Sequence, residues 1–126
     1  MGRIQQHARR QQRLEELCGV AVRALSGQPD MHVRARGLYQ GHRRLPIHAP
    51  HLRMDPEHDG LVDYRGAADG MALRLIHSNP RLHRQLCPEA PVQRLVFELL
   101  EQLRVESLAP GHLPGVTRNV YERFAA

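Results

Sequence analysis

Lysine and tryptophan are absent from this 126-residue chain, and aromatic side chains are scarce: Tyr39, Tyr64, Phe97, Tyr121 and Phe124. Platforms that stack single-stranded nucleic acid need clustered aromatics, and none cluster here. Only two cysteines occur, Cys18 and Cys87, far apart and outside any Cys-x-x-Cys step. That usage excludes a disulfide framework and points to two structural thiols in a reducing compartment. No apolar run approaches the length of a membrane span, and the N-terminus lacks an apolar signal core. A soluble, cytoplasmic protein is expected. Hydroxyls other than tyrosine are limited to Ser26, Ser78, Ser107 and Thr117, none in a G-x-S-x-G elbow. A Walker A loop, a G-x-G-x-x-G turn and an H-E-x-x-H helix are also missing, which excludes ATP hydrolysis or dinucleotide binding through a known loop.

What is present is the balance of an ordinary globular domain, 41% hydrophobic and 25% charged. The length suits one domain with one core. An Arg/Gln-rich lead-in over residues 1–13 and a single helical domain over 14–126 are expected. All 18 basic residues are arginine, the net charge is +5 and the pI about 10.2. Such a balance admits phosphate or carboxylate partners, nucleic acid among them. Against that, the arginines are spread along the chain and interleaved with Asp and Glu. GC-rich codon usage accounts for them, together with the abundant Gly, Ala, Pro and Leu.

Leu14, Leu17, Cys18, Ala21, Val22 and Leu25 recur at helical spacing and predict a helix stopped by Gly27 and Pro29. Met31, Val33 and Ala35 then alternate with His32, Arg34 and Arg36, and Leu45 and Ile47 form a second short alternating run. With a turn at Gly37–Gly41 these make a small β-hairpin, and Pro46 confines its second strand to an edge. A helix follows from Gly60 to His77, with Asp59 as its N-cap. Gly66 and Gly70 lie on one of its faces, and each costs about 1 kcal/mol relative to alanine, which implies close packing or binding there. Pro80 opens a short helix carrying Leu82 and Leu86. Pro91 opens the next, whose Val92, Leu95, Val96, Phe97, Leu99, Leu100, Leu103, Val105 and Leu108 cover most of the circumference and predict a central position. A last helix runs from about Gly115 to Phe124. The fold class is mainly α: four to five helices with one small β-hairpin between the first and second long helices.

Nine histidines invite a metal reading. His48, His51 and His58 are its only grouped candidates, in a proline-rich loop with no cysteine partner, and surface histidines are the plainer expectation. Glu98 and Glu101 are close enough along one helix to act as acid and base. An ion-pair framework is favoured: Arg65 with Asp69, Glu101 with Arg104, and Glu106 with a cation such as arginine where it is buried. Arg74 completes that set of charged residues, although its spacing faces it away from Asp69.

Arg65-Gly66, Ala68-Asp69, Met71-Ala-Leu-Arg-Leu75, Glu101-Gln102, Arg104-Val105-Glu106 and Leu113-Pro-Gly-Val116 with Asn119 carry a resemblance. In this order they are similar to the N-terminal region of the CobT family, a subunit of the aerobic, ATP-dependent cobaltochelatase of cobalamin biosynthesis. The resemblance runs from about Leu14 to Phe124. It implies a complex that inserts cobalt into hydrogenobyrinic acid a,c-diamide and forms nitrogen–metal bonds. A large subunit would bind tetrapyrrole and metal, and an AAA+ partner would hydrolyse ATP. It also implies a docking role here, with no activity alone and no cofactor in this chain; ATP, Mg and cobalt belong to other subunits or domains. The family's metal-dependent adhesion site has no counterpart, since no D-x-S-x-S occurs. The competing readings are a free-standing basic module for nucleic acid or protein, and a metal carrier built on the histidine loop.

Overall fold

Leu14, Cys18 and Val22 recur every four residues and form the buried stripe of the first helix, α1 (Gly2–Ser26). The computed structural model describes residues 2–34, 37–47, 49–55 and 58–125. Helix α1 begins at Gly2 rather than near Leu14. Its first turns are exposed, but alanine, arginine and glutamine are good helix formers, and Gln11 and Gln12 donate to Glu15 and Glu16 one turn on, at 3.1 and 3.3 Å. Gly27 ends the helix in the left-handed region, at φ +70°.

The period-two run after it forms β1 (Met31–Arg34), with Met31 and Val33 turned inward. Its antiparallel partner is β2 (Gly37–Gln40), which sets Leu38 opposite Val33. Gly41, at φ +59°, turns the chain into β3 (Arg43–Arg44), so the sheet has three strands in the order β1-β2-β3. The expected turn at Gly37–Gly41 is thus largely a strand. Leu38 supplies the apolar partner that Val33 needs, and the positive φ that a tight turn demands falls at Gly41. Leu45 and Ile47 follow the sheet instead of forming one of its strands, with Leu45 N–H donating to the Leu38 carbonyl at 2.9 Å. Ala35 and Arg36 lie outside the described residues.

A 3-10 turn at Pro50–Leu52 leads into α2 (Leu61–His77). Its N-cap is Gly60, not Asp59. Asp63 reaches back to accept the Gly60 N–H at 2.9 Å, while Asp59 accepts from Asp55 N–H at 2.8 Å. Every residue from Gly66 to Arg74 is buried. The helix is enclosed by α1, the 3-10 turn, α4 (Pro91–Glu106) and α5 (Pro114–Ala125). The central helix is therefore α2, and α4 is peripheral: only Glu98, Gln102 and Val105 of α4 are buried. Between them α3 (Pro80–Leu86) starts at an Asn79 cap that accepts from Arg81 and Leu82 N–H, and it buries no residue. No helix of the described residues is long and apolar enough to cross a membrane.

Two apolar clusters hold these elements. The larger joins Leu14, Cys18 and Val22 to Met31, Val33, Leu38, Leu52, Met54, Tyr64, Ala67, Ala68 and Met71; the smaller joins Leu73, Val105, Val116 and Val120. Gly66 lets α5 approach: a Cβ there would lie 2.5 Å from both the Asn119 carbonyl oxygen and Arg123 Cβ. Gly66→Ala should cost about 1–3 kcal/mol by overpacking. Gly115→Ala, where an added Cβ meets nothing within 4 Å, should leave stability nearly unchanged. Urea denaturation of the two variants measures the difference.

Candidate functional site

Glu98, Gln102 and Glu106 repeat every four residues, so they form a polar stripe along one side of α4. That stripe, not the apolar one, faces α2. Gly70 on α2 makes room, since a Cβ there would lie 3.1 Å from Glu106 Oε1 and 3.2 Å from Gln102 Nε2. Gln102 Nε2 donates to the Gly70 carbonyl at 2.9 Å and to Glu106 Oε1 at 3.1 Å. One turn along α2, Arg74 donates to Glu98 Oε2 at 3.0 Å and to Gln102 Oε1 at 3.3 Å. The Arg74 and Glu98 side chains are only 6% and 5% exposed.

Histidines close both ends of this seam. From α3, His83 Nε2 lies 2.7 Å from Glu98 Oε1; from the 3-10 turn, His51 Nε2 lies 2.7 Å from Glu106 Oε1. A carboxylate only accepts, so Nε2 carries the proton in both rings. With Nε2 of His83 committed, the ring atom left to accept from Arg74 is Nδ1, at 3.4 Å. Burial would raise the Glu98 carboxyl, but the hydrogen bonds from His83 and Arg74 outweigh it and hold Glu98 below the ordinary carboxylate value. The seam runs on into α5. The His51 ring meets Phe124 edge-on at 5.2 Å, its carbonyl accepts from Arg123 Nε at 2.7 Å, and Arg123 pairs with Asp59 at 3.0 Å.

Nearly the whole of this architecture lies within a match to a family model described as cobalamin biosynthesis protein CobT, over residues 8–126. The chain belongs to the CobT family. That membership gives it a cobaltochelatase-related role in cobalamin biosynthesis. No solved structure matches it.

Within this CobT-family domain the charged residues singled out from sequence are dispersed. Arg65 is exposed and, among the described residues, forms no ion pair with Asp69. Asp69 is instead bonded by Asn119 Nδ2 of α5, at 2.9 Å. Arg74 is buried and bound to Glu98, a residue read first as an acid–base candidate. Glu101 pairs with Arg104 at 2.6 Å on the surface, where Arg104 also donates to the His77 carbonyl at 3.1 Å. Hydrogen bonding by Arg104 lowers the Glu101 pKa, and Glu101 raises that of Arg104. The partner of Glu106 is a histidine rather than an arginine, and His51 is therefore a buried network member, not a surface side chain. His58 faces Asp55 at 2.6 Å, and His48 lies outside the described residues. The histidine loop gathers no three-ligand group among the described residues.

Sequence reading missed His83 and Arg123, named Gln102 and Asn119 only within the resemblance, and offered His51 as a metal ligand rather than as the partner of Glu106. The four-residue step from Glu98 through Gln102 to Glu106 was the one available signal. Burial also governs the remaining groups. Desolvation, with Asp69 and Glu15 nearby, pushes the Cys18 thiol up to about 12, which makes it inert. Desolvation raises Asp69 as well, against the hydrogen bond from Asn119 and the charge of Arg65. A carboxyl raised on folding binds its proton more tightly in the native state, so it removes stability as pH rises through and above 3.8. Asp69→Asn should therefore be more stable than the parent at pH 7, with that advantage vanishing below the unfolded-state value of 3.8. Urea midpoints at the two pH values check the sign.

Proposed function

We propose that this domain is a non-catalytic docking element of a cobaltochelatase complex, serving ATP-dependent cobalt insertion into hydrogenobyrinic acid a,c-diamide. The AAA+ ATPase subunit is its partner on α4. The observation that carries this reading is the inversion of α4. Glu98 and Gln102 are buried against α2, while Val92, Val96 and Leu100 stand in solvent at 75%, 49% and 59% exposure. With Leu99 and Leu103 they follow the i, i+4, i+7, i+8, i+11 pattern of a helix that lies against a second apolar surface.

The magnitudes define the size of that surface. A fully buried Val or Leu is worth about 1.5–3 kcal/mol, and association costs at least ~4 kcal/mol before any net affinity appears. Three side chains alone hold a partner weakly. Leu82 and Leu86 of α3, also exposed, extend the apolar area, and α3 is tied to α4 through His83. Arg74 and Arg123 are committed to Glu98 and Asp59, and Arg104 to Glu101.

Titration of the full chain with the purified ATPase subunit tests the reading. Val96→Glu combined with Leu100→Glu should weaken binding at least tenfold while leaving the urea midpoint nearly unchanged, because both residues are exposed. Absence of binding by the parent at micromolar concentration, or a variant that binds as the parent does, overturns the proposal.

A further inference from the structure

A side-chain cluster at the α3–α4 junction has the makings of a metal site. His83 and Cys87 are four residues apart, and the Cys87 N–H donates to the His83 carbonyl at 2.9 Å, so the helical turn that aligns them is intact. Glu98 reaches across from α4. The imidazole nitrogen, thiol sulfur and carboxylate oxygen all lie within 4.8 Å of one another. We propose that His83, Cys87 and Glu98 form a three-ligand site for a divalent cation of the zinc type. It is distinct from the histidine loop.

The donor set selects the ion. One nitrogen, one sulfur and one oxygen suit zinc or cobalt(II), whereas magnesium and calcium take oxygen alone. Three protein ligands leave a fourth position open to water or an incoming ligand atom. Tetrahedral bonds of that class place donor atoms roughly 3.3–3.8 Å apart. His83 Nε2 and Glu98 Oε1 are 2.7 Å apart, so binding moves the ring proton from Nε2 to Nδ1, which gives up the Arg74 contact there, and the ion spreads the two ligand atoms slightly while the sulfur swings in. The thiol gives up its proton to become a ligand. Arg74 keeps Glu98 Oε2 at 3.0 Å and fixes the carboxylate from behind, the place of an outer-shell partner. Its guanidinium nitrogen is also 3.1 Å from His83 Nε2, which confines the cation to the Cys87 side of the ring. A cleft of about 370 Å³ between the sheet and the end of α2, lined by Arg74, Leu75, Ser78 and Pro80, reaches His83.

Cobalt(II) is the probe, added to the reduced full chain, with zinc as competitor. The expected result is one ion per chain, a thiolate-to-cobalt charge-transfer band in the near ultraviolet, and loss of that band on adding zinc. Cys87→Ser should abolish the band and weaken binding at least tenfold, and Cys18→Ser, a change at the buried thiol, should leave both intact. Circular dichroism of each variant verifies the fold. Overturning results are no charge-transfer band in the parent, a band that survives in Cys87→Ser, or weak binding without thiolate character, which would report surface histidines only.

Discussion

A guanidinium and a carboxylate taken out of water between two helices constrain everything around them. Arg74 on α2 and Glu98 on α4 are both buried, and neither is tolerable there without the other. Desolvating each ion costs several kcal/mol, and their attraction repays this only with good geometry and with the remaining donors and acceptors satisfied. The neighbouring side chains meet that condition. His83 takes the second oxygen of Glu98, and Gln102 accepts from the second nitrogen of Arg74. Gln102 in turn binds Glu106, and Glu106 binds His51. Each member satisfies the next, so the seam behaves as a unit in which loss of one group strands a buried neighbour.

This seam explains the glycines and the odd polarity of α4 together. A polar layer packs only where backbones come close enough for side chains to meet, and Gly70 supplies that space on α2 while Gly66 does the same for α5. With Glu98, Gln102 and Glu106 committed inward, Val105 is the one apolar residue of α4 that is fully buried, and the rest have little interior left to occupy. Their exposure follows from the seam and not from weak packing elsewhere, because the larger apolar cluster is built from α1, the sheet, the 3-10 turn and α2 with no residue of α4.

How much was legible in the sequence follows from the range of each interaction. Helix α2 was readable, because its periodicity is local and two glycines in a helix require an explanation. The sheet was half readable: β1 alternates cleanly, but whether Gly37–Gln40 turns or pairs depends on Leu38 finding Val33. The orientation of α4 was not readable from its apolar content. When leucines and valines occupy most of a circumference, hydrophobicity does not say which side faces in, and the decision passes to the minority polar residues. Reading Glu98, Glu101 and Glu106 as carboxylates hid the stripe that Gln102 completes. Partners such as His51 for Glu106 and Asn119 for Asp69, 55 and 50 residues away, leave no local trace.

The two ways of holding a helix differ in what they do under load. Apolar packing is non-directional and tolerates small slides, whereas a chain of hydrogen bonds and ion pairs has one good alignment and weakens steeply away from it. Helix α4 is attached mainly by the second kind, with Val105 its only contribution to the small apolar cluster. Its outer face is thereby held in a fixed register against α2, and through His83 the same seam fixes α3. A partner that engages the exposed stripe meets a surface whose position is already set, so little ordering entropy is lost on binding. A pull on that surface would in turn be felt first at Arg74 and Glu98, the two charges that cannot separate without exposing each other.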